Sequence, residues 1–383
     1  MTRAGINITL LLAGATASMP VIMVGHILAE NYGTLFALLT VLAGNAVLCA
    51  IGFLTVHLAL KYKTTTTDTV IALGGSTLSK VFSVAMVVSM LGWFCVQCSV
   101  LVDFAHGYFP SMPHVLLTLL IGITLVLAAM GDIKRLLWLA QRLGPLLLLG
   151  CSGMFVWALS NTHVVEAKEA VAFWPSFSLV IAVNLSWVID VPTFYRGLSS
   201  QKEGFVSIFV VMFVATTMVQ ALGVLLVSSY DSVGLLMSPF GVVLALSGWL
   251  INVNNLYSAV VSSQTIIKTE NFARRSVLLG ALALVLVCMH VSDSLVTFIE
   301  AITLGISSMG GVMAVCAIVR FRNEIALAVS WCLGLASGAL SLASVLTLTG
   351  AAQVDAFLSA CIFAILALYG VQLWQSQLSP KNS

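Results

Sequence analysis

Gly14-Ala15-Thr16-Ala17-Ser18-Met19-Pro20 and Asn184-Leu185-Ser186-Trp187-Val188-Ile189-Asp190-Val191-Pro192 are the two stretches that decide how this chain folds. Each places a proline and a cluster of small or polar residues inside a long apolar run. In hydrocarbon such an interruption costs a helix backbone hydrogen bonds unless neighbouring groups satisfy what it frees. An ordinary proline kink would account for either stretch by itself. As a pair, at matching places in two halves of one chain, they point to discontinuous helices bordering a polar site.

The rest of the sequence supplies the solvent that this argument needs. Of its 383 residues, 60% are hydrophobic and 8% are charged, against about 25% charged in soluble domains. A chain of this composition cannot clothe a water-facing surface, whereas lipid removes the requirement. Apolar runs of about 20 residues, the length of a membrane span, recur about twelve times. The first six are Gly5–Ala29, Gly33–Leu60, Val81–Gly107, His114–Met130, Leu136–Ser160 and Trp174–Tyr195. The second six are Phe205–Ser229, Leu235–Thr265, Ser276–His290, Ser294–Val319, Ile325–Thr347 and Val354–Trp374. The expected fold class is therefore an all-α integral membrane protein of about twelve transmembrane helices, interrupted in helices 1 and 6. The interruptions stand five spans apart, and an odd repeat length forces opposite topology on the second copy.

Basic residues fix the expected orientation. With the N-terminus inside, Arg3, Lys61, Lys63, Lys80, Lys134, Arg135, Arg142, Arg196, Lys202, Lys268, Arg274, Arg275, Arg320, Arg322 and Lys381 fall at cytoplasmic ends, and only Lys168 falls outside. One span more or fewer would scramble this alternation. The expectation is a multi-pass protein of the cell's inner (plasma) membrane with both termini cytoplasmic. The N-terminus enters an apolar segment that runs past Pro20, so no cleavable signal is expected, and the short loops leave no room for a soluble catalytic domain.

Polar residues inside spans mark the candidate site. Trp93 and Gln97 are four apart in span three and share a helix face. An indole offers a stacking surface and an amide both a donor and an acceptor; the alternative is packing bulk and interhelical glue. In span eight, Asn252, Asn254 and Asn255 crowd four positions, which is costly in an apolar stretch unless they line a cavity. Gly248, Asn252 and Asn255 form one stripe, with Ser247 and Asn254 on a neighbouring one. Asp190 and Glu300 are the acids clearly inside spans, either ion-coupling groups or structural carboxylates near helix ends. The eight cysteines lie in apolar stretches; Cys95 and Cys98 are closely spaced, but no second pair or nearby His completes a zinc site. The histidines fall near span ends or in loops. No phosphate-binding loop, zinc-protease or serine-hydrolase motif occurs, which argues against an ATP-driven pump and against an enzyme.

At these residues the chain resembles the cytosine permeases, within the purine-cytosine permease group of the nucleobase–cation symport family. The carriers are Thr16-Ala17-Ser18-Met19, Gly92-Trp93-Phe94, Pro192-Thr193-Phe194-Tyr195-Arg196, Trp249 with Asn252, Asn254 and Leu256-Tyr257, and Gly310-Gly311. The resemblance implies a five-plus-five inverted repeat over residues 5–160 and 174–319, two accessory C-terminal spans within 325–374, and alternating access. It implies that Trp93 stacks on the substrate and that Gln97, Ser186 and Asn252 contact it; Asn184 stands where an aromatic is expected, with Trp187 as an alternative second ring, and Ser18 and Asn255 complete the expected substrate site. Cytosine permeases tend to hold their glutamine where this chain has Met90, and hydantoin-type relatives hold it where Gln97 stands. For a coupling ion it implies Leu11 and Ala15 carbonyls with the Ser247 hydroxyl as a possible sodium site. The following hydroxyl positions are Leu250 and Ile251 here, which leaves proton coupling through Asp190 or Glu300 open. The expected function is import of a nucleobase such as cytosine by an ion-coupled secondary transporter, with no cofactor beyond a sodium ion or proton. The alternatives are another small solute (hydroxymethylpyrimidine, allantoin, hydantoin or an amino acid) or a receptor that binds without transporting. The expected partners are the substrate and the bilayer, with no nucleic acid and no obligate protein.

Overall fold

A computed structural model describes residues 1–169, 172–230, 232–267, 271–289, 295–319 and 323–378; the side chains of 132, 232, 233, 236, 295–302 and 374–378 lie outside the description. The described residues form helices and no strand. In chain order these are α1 (Arg3–Thr16), α2 (Met19–Tyr32), α3 (Thr34–Tyr62), α4 (Thr66–Tyr108), α5 (His114–Ala129), α6 (Asp132–Asn161), α7 (Phe173–Ile189) and α8 (Val191–Tyr195). Then follow α9 (Gln201–Ile208), which runs through a π-helical stretch, Phe209–Ala215, into α10 (Thr216–Leu226), and the short α11 (Ser232–Met237). The last five are α12 (Gly241–Ser262), α13 (Phe272–Cys288), α14 (Leu295–Ile318), α15 (Glu324–Leu342) and α16 (Ala352–Leu378).

Six helices are long and apolar enough to cross a membrane, and the bent pair α1–α2 makes a seventh. Three shorter apolar helices, His114–Ala129, Phe173–Ile189 and Thr303–Ile318, accompany them. Burial is inverted relative to a water-soluble protein. Leu146, Leu149, Val156 and Leu159 of α6 are 58–71% exposed, while Asn45, Gln220, Ser247 and Asn252 are fully buried. Apolar residues outside and amides inside suit a hydrocarbon surround.

The first interruption lies where the sequence places it. α1 and α2 bend by 51° at Ala17–Ser18, with Ser18 extended (φ −86°, ψ 155°) and Pro20 in the first turn of α2. The second falls at the C-terminal end of its stretch. α7 winds without a break through Asn184, Ser186 and Trp187, and the chain turns only at Asp190 (φ −83°, ψ 4°) before α8. The cause is local: Pro192 lacks the N–H that would bond the carbonyl four residues back, that of Val188. The amide and hydroxyl side chains upstream are carried within the helix.

Three other boundaries differ from expectation. α4 starts at Thr66, well before Val81, and changes direction at Gly74–Gly75, where Gly75 takes φ +77°. Its first turn is capped by the Thr65 hydroxyl, which accepts from the Asp68 N–H, so the threonine-rich stretch read as a break starts a helix. Leu235 belongs to α11, and α12 begins only at Gly241. α15 stops at Leu342, short of Thr347, with Ser344 at φ +55°.

Helices distant in sequence pack side by side. α4 lies along α12, α3 along α7, α1 along α6 and α2 along α10. The α2–α10 contact is backbone to backbone: a Cβ on Gly25 would collide with the Gln220 carbonyl, and one on Gly223 with that of Ile22. Beside it, Asn45 Nδ2 donates to Gln220 Oε1 (2.7 Å) and Thr217 Oγ1 (3.1 Å). At one end of the molecule, Thr2 donates through N to Glu203 Oε1 (2.6 Å) and His57 Nδ1 meets Gln201 Nε2 (2.8 Å). Elsewhere, Thr34 N donates to the Val165 carbonyl (3.0 Å) and Lys168 pairs with Glu30 (3.2 Å). Lys268, His290, Arg320, Arg322 and Lys381 lie outside the described residues.

Candidate functional site

The bend between α1 and α2 opens one side of a cavity, because Ala15, Thr16 and Ser18 there no longer stack as one helix. Ser18 caps α2 without a side-chain hydrogen bond to it, so its hydroxyl is available to the cavity. α4 supplies Met90, Trp93 and Gln97, one residue per turn on a single face. α7 contributes Val183, Asn184, Ser186 and Trp187, and α12 contributes Ile251 and Asn255. The empty space is about 510 Å³, counting the part open to solvent. It adjoins a larger apolar chamber of about 990 Å³ that shares Trp93, Pro20 and Val183 and is walled by Gly350–Gln353 ahead of and at the start of α16.

No lining side chain is ionisable. Polarity comes from amides and hydroxyls, and two of them hold open valences. Gln97 Oε1 and Asn184 Nδ2 are buried and have no hydrogen-bond partner among the described residues. Gln97 is 3% and Asn184 6% exposed, so bulk water does not readily reach them. A buried, unpaired amide costs about 1–3 kcal/mol, a penalty that a ligand with the complementary edge removes. Ser186 shares a hydrogen bond with Ser89 of α4 (3.2 Å), which ties the two walls together.

Of the substrate-site residues expected from sequence, Trp93, Gln97, Ser18, Asn184, Ser186, Trp187 and Asn255 line this one cavity. Asn252 does not. It is fully buried between helices, and its Nδ2 donates to the Phe94 carbonyl of α4 (3.2 Å). Its Oδ1 has no partner among the described residues, and one turn along the same stripe separates this residue, which meets α4 backbone, from Asn255, which meets the void. Asn254 is also buried, with neither side-chain atom partnered among the described residues, and lies off the cavity. Trp249 turns to α5 and donates to Thr124 Oγ1 (2.9 Å).

The ion-coupling candidates separate. Ala15 lines the cavity and Leu11 is buried behind it. Ser247 Oγ donates to the Gly14 carbonyl (2.6 Å), so hydroxyl and α1 carbonyl do meet, although through Gly14 instead of Leu11 or Ala15. Leu250 lies beside Gly14 and offers only methyl groups there, where a hard cation would need oxygen ligands to bind. Asp190 sits at the α7–α8 break and accepts from three hydroxyls: Thr66 (2.6 Å), Thr193 (2.7 Å) and Ser258 (2.5 Å). Those donors belong to α4, α8 and α12, so the carboxylate knots three elements. Glu300 falls in α14, and its side chain lies outside the description. Cys95 is buried and its thiol donates to the Ala283 carbonyl (3.5 Å). Among the described residues no group of three or more His, Cys, Asp or Glu could hold a metal ion.

Sequence reasoning missed Leu12, Val21, Val183 and Ile251 as cavity lining and Thr66 and Ser258 as partners of Asp190. The apolar four are indistinguishable by type from residues facing lipid. Thr66 is 124 positions from Asp190, so no local pattern links them.

No protein-family model matches the sequence, and no protein of curated function matches it. Solved structures do share its fold. Mhp1, a nucleobase-cation-symport-1 family transporter in a closed conformation with bromovinylhydantoin bound, is 14% identical, with 99% of this chain and 94% of that one covered and a TM-score of 0.74. A Na⁺-coupled sialic acid symporter in a substrate-bound outward-open state is 14% identical over 95% of this chain and 88% of that one, with a TM-score of 0.72. MhsT in complex with L-phenylalanine is 13% identical over 96% and 98%, with a TM-score of 0.59. At these identities the likeness is one of fold, and from end to end the chain has the helical architecture of these transporters.

Proposed function

We propose that this protein is a secondary transporter of a small, neutral, planar heterocycle with amide-like edges, a nucleobase or a related ring, and that it works by alternating access. The supporting observation is the cavity itself: Trp93 and Trp187 border it, and an unpartnered acceptor, Gln97 Oε1, and an unpartnered donor, Asn184 Nδ2, are buried in its wall. A flat ring stacks on indole, and adjacent N–H and C=O groups on its edge satisfy both amides at once. The lack of any ionisable lining residue favours an uncharged substrate. The fold, shared over nearly the whole chain with Mhp1, supports the transport class.

The test is uptake of radiolabelled bases into proteoliposomes. Trp93→Ala is expected to abolish saturable uptake and Trp93→Phe to retain part of it, with both variants folded by gel filtration. Wild-type uptake by Trp93→Ala would remove the site from consideration.

An amino acid is the second reading. The N-terminal end of α2 abuts the cavity at Ser18 and Pro20, and such an end favours a carboxylate. Competition of labelled uptake by uracil, cytosine, hydantoin and L-phenylalanine separates the two.

A further inference from the structure

A second, polar pocket lies at the end of the molecule where Thr2 meets Glu203. Its walls are the last turns of α3 (His57, Leu60, Lys61) with Lys63 just beyond, the α8–α9 connection and first residue of α9 (Leu198, Ser199, Ser200, Gln201), and the end of α14 with Val319 beyond (Ala317, Ile318). Its empty space is about 1140 Å³, counting the part open to solvent.

Three features give it a chemical character. Lys61 and Lys63 are exposed and take part in no ion pair among the described residues. The carboxylate of Glu203, which borders the pocket through Ser199, is already taken up by Thr2 and by the Ser199 hydroxyl (2.8 Å). His57 is held by Gln201 at 2.8 Å, which fixes the imidazole in the pocket wall. Against this basic rim stands an apolar side: Leu60, Leu198, Ala317 and Ile318, the last 72% exposed.

A cationic rim joined to an apolar side that reaches the surface at Ile318, at the ends of apolar helices, matches an amphiphile whose head is anionic and whose tail is hydrocarbon. We propose that this pocket binds the phosphate headgroup of an anionic phospholipid, with Lys61 and Lys63 on the phosphate and an acyl chain along Ile318 and Leu60. A basic pocket between membrane helices is the arrangement that recognises such headgroups. A free anion would gain nothing from the apolar wall. The site is separate from the cavity at Trp93, so it stands or falls independently of the transport reading.

The experiment is native mass spectrometry of the purified full chain in neutral detergent, titrated with phosphatidylglycerol or phosphatidylcholine, for wild type and for the double variant Lys61→Gln/Lys63→Gln. Wild type is expected to retain phosphatidylglycerol in preference to phosphatidylcholine. The double variant should bind it about 30-fold more weakly, given about 1 kcal/mol per basic residue near an anionic surface. Its melting temperature in detergent without lipid should be unchanged, which separates lost binding from lost folding. Equal retention of the two lipids, or retention unaffected by the double variant, overturns the proposal. So does full displacement by inorganic phosphate at concentrations matching the lipid, which would show a free-anion site.

Discussion

At the scale of single residues, the site depends on groups whose hydrogen-bonding capacity is left open. Gln97 Oε1 faces Gly248, where a Cβ would stand 3.5 Å away, so the glycine gives the amide room to reach a ligand. Gln97→Met keeps the length and removes the acceptor. The expected outcome is a rise in KM of about 5- to 100-fold, following the 1–3 kcal/mol cost of losing a buried polar contact, with the protein still folded. An unchanged KM in proteoliposome uptake would place Gln97 outside recognition. Asn252, one helical turn from Asn255, answers to a different chemistry because its amide is bound to the Phe94 carbonyl. Sequence spacing showed these residue types and their stripe; which of two stripe neighbours meets a void depends on where α4 comes to rest.

At the scale of elements, two devices hold neighbouring helices in register. The first is the glycine contact between α2 and α10, where a methyl group on Gly223 meets the Ile22 carbonyl with no flexible side chain to give way. Gly223→Ala is expected to destabilise the fold by about 1–3 kcal/mol, read as a lower melting temperature in detergent. Gly153, with nothing within 4 Å of an added Cβ, serves as the control: Gly153→Ala should melt like wild type. The second device is Asp190, whose hydroxyl donors come from α4, α8 and α12. Asp190→Ala leaves three buried hydroxyls without their common acceptor and is expected to lower both melting temperature and uptake. Asp190→Asn keeps one carbonyl oxygen and should recover part of the stability. If the Asn variant also accumulates substrate in response to an imposed proton gradient as wild type does, the carboxylate serves only as a structural knot.

For the whole molecule, the question is what drives the transport we propose. Leu250 against Gly14 and Ile251 in the cavity wall put hydrocarbon where additional cation ligands would stand, and Ser247 and the Gly14 carbonyl already satisfy one another. Uptake is therefore expected to continue at an undiminished rate when choline replaces sodium and to respond to an imposed proton gradient. A strict requirement for sodium, measured in the same vesicles, would show that the α1–α12 junction opens to admit the ion.

The sequence by itself determined that the chain is helical and built for lipid, that the first helix is interrupted within Gly14–Pro20, and that Trp93, Gln97, Asn184, Ser186 and Asn255 are the chemically costly residues of their helices. Composition, proline and the expense of buried polarity act locally, so they are legible without coordinates. Tertiary structure alone decided that Thr66 and Ser258 close around the Asp190 carboxylate, and that Asn252 donates to the Phe94 carbonyl while Asn255 borders the cavity. Those outcomes depend on which backbone groups distant helices bring within hydrogen-bonding reach, and no local pattern encodes that distance.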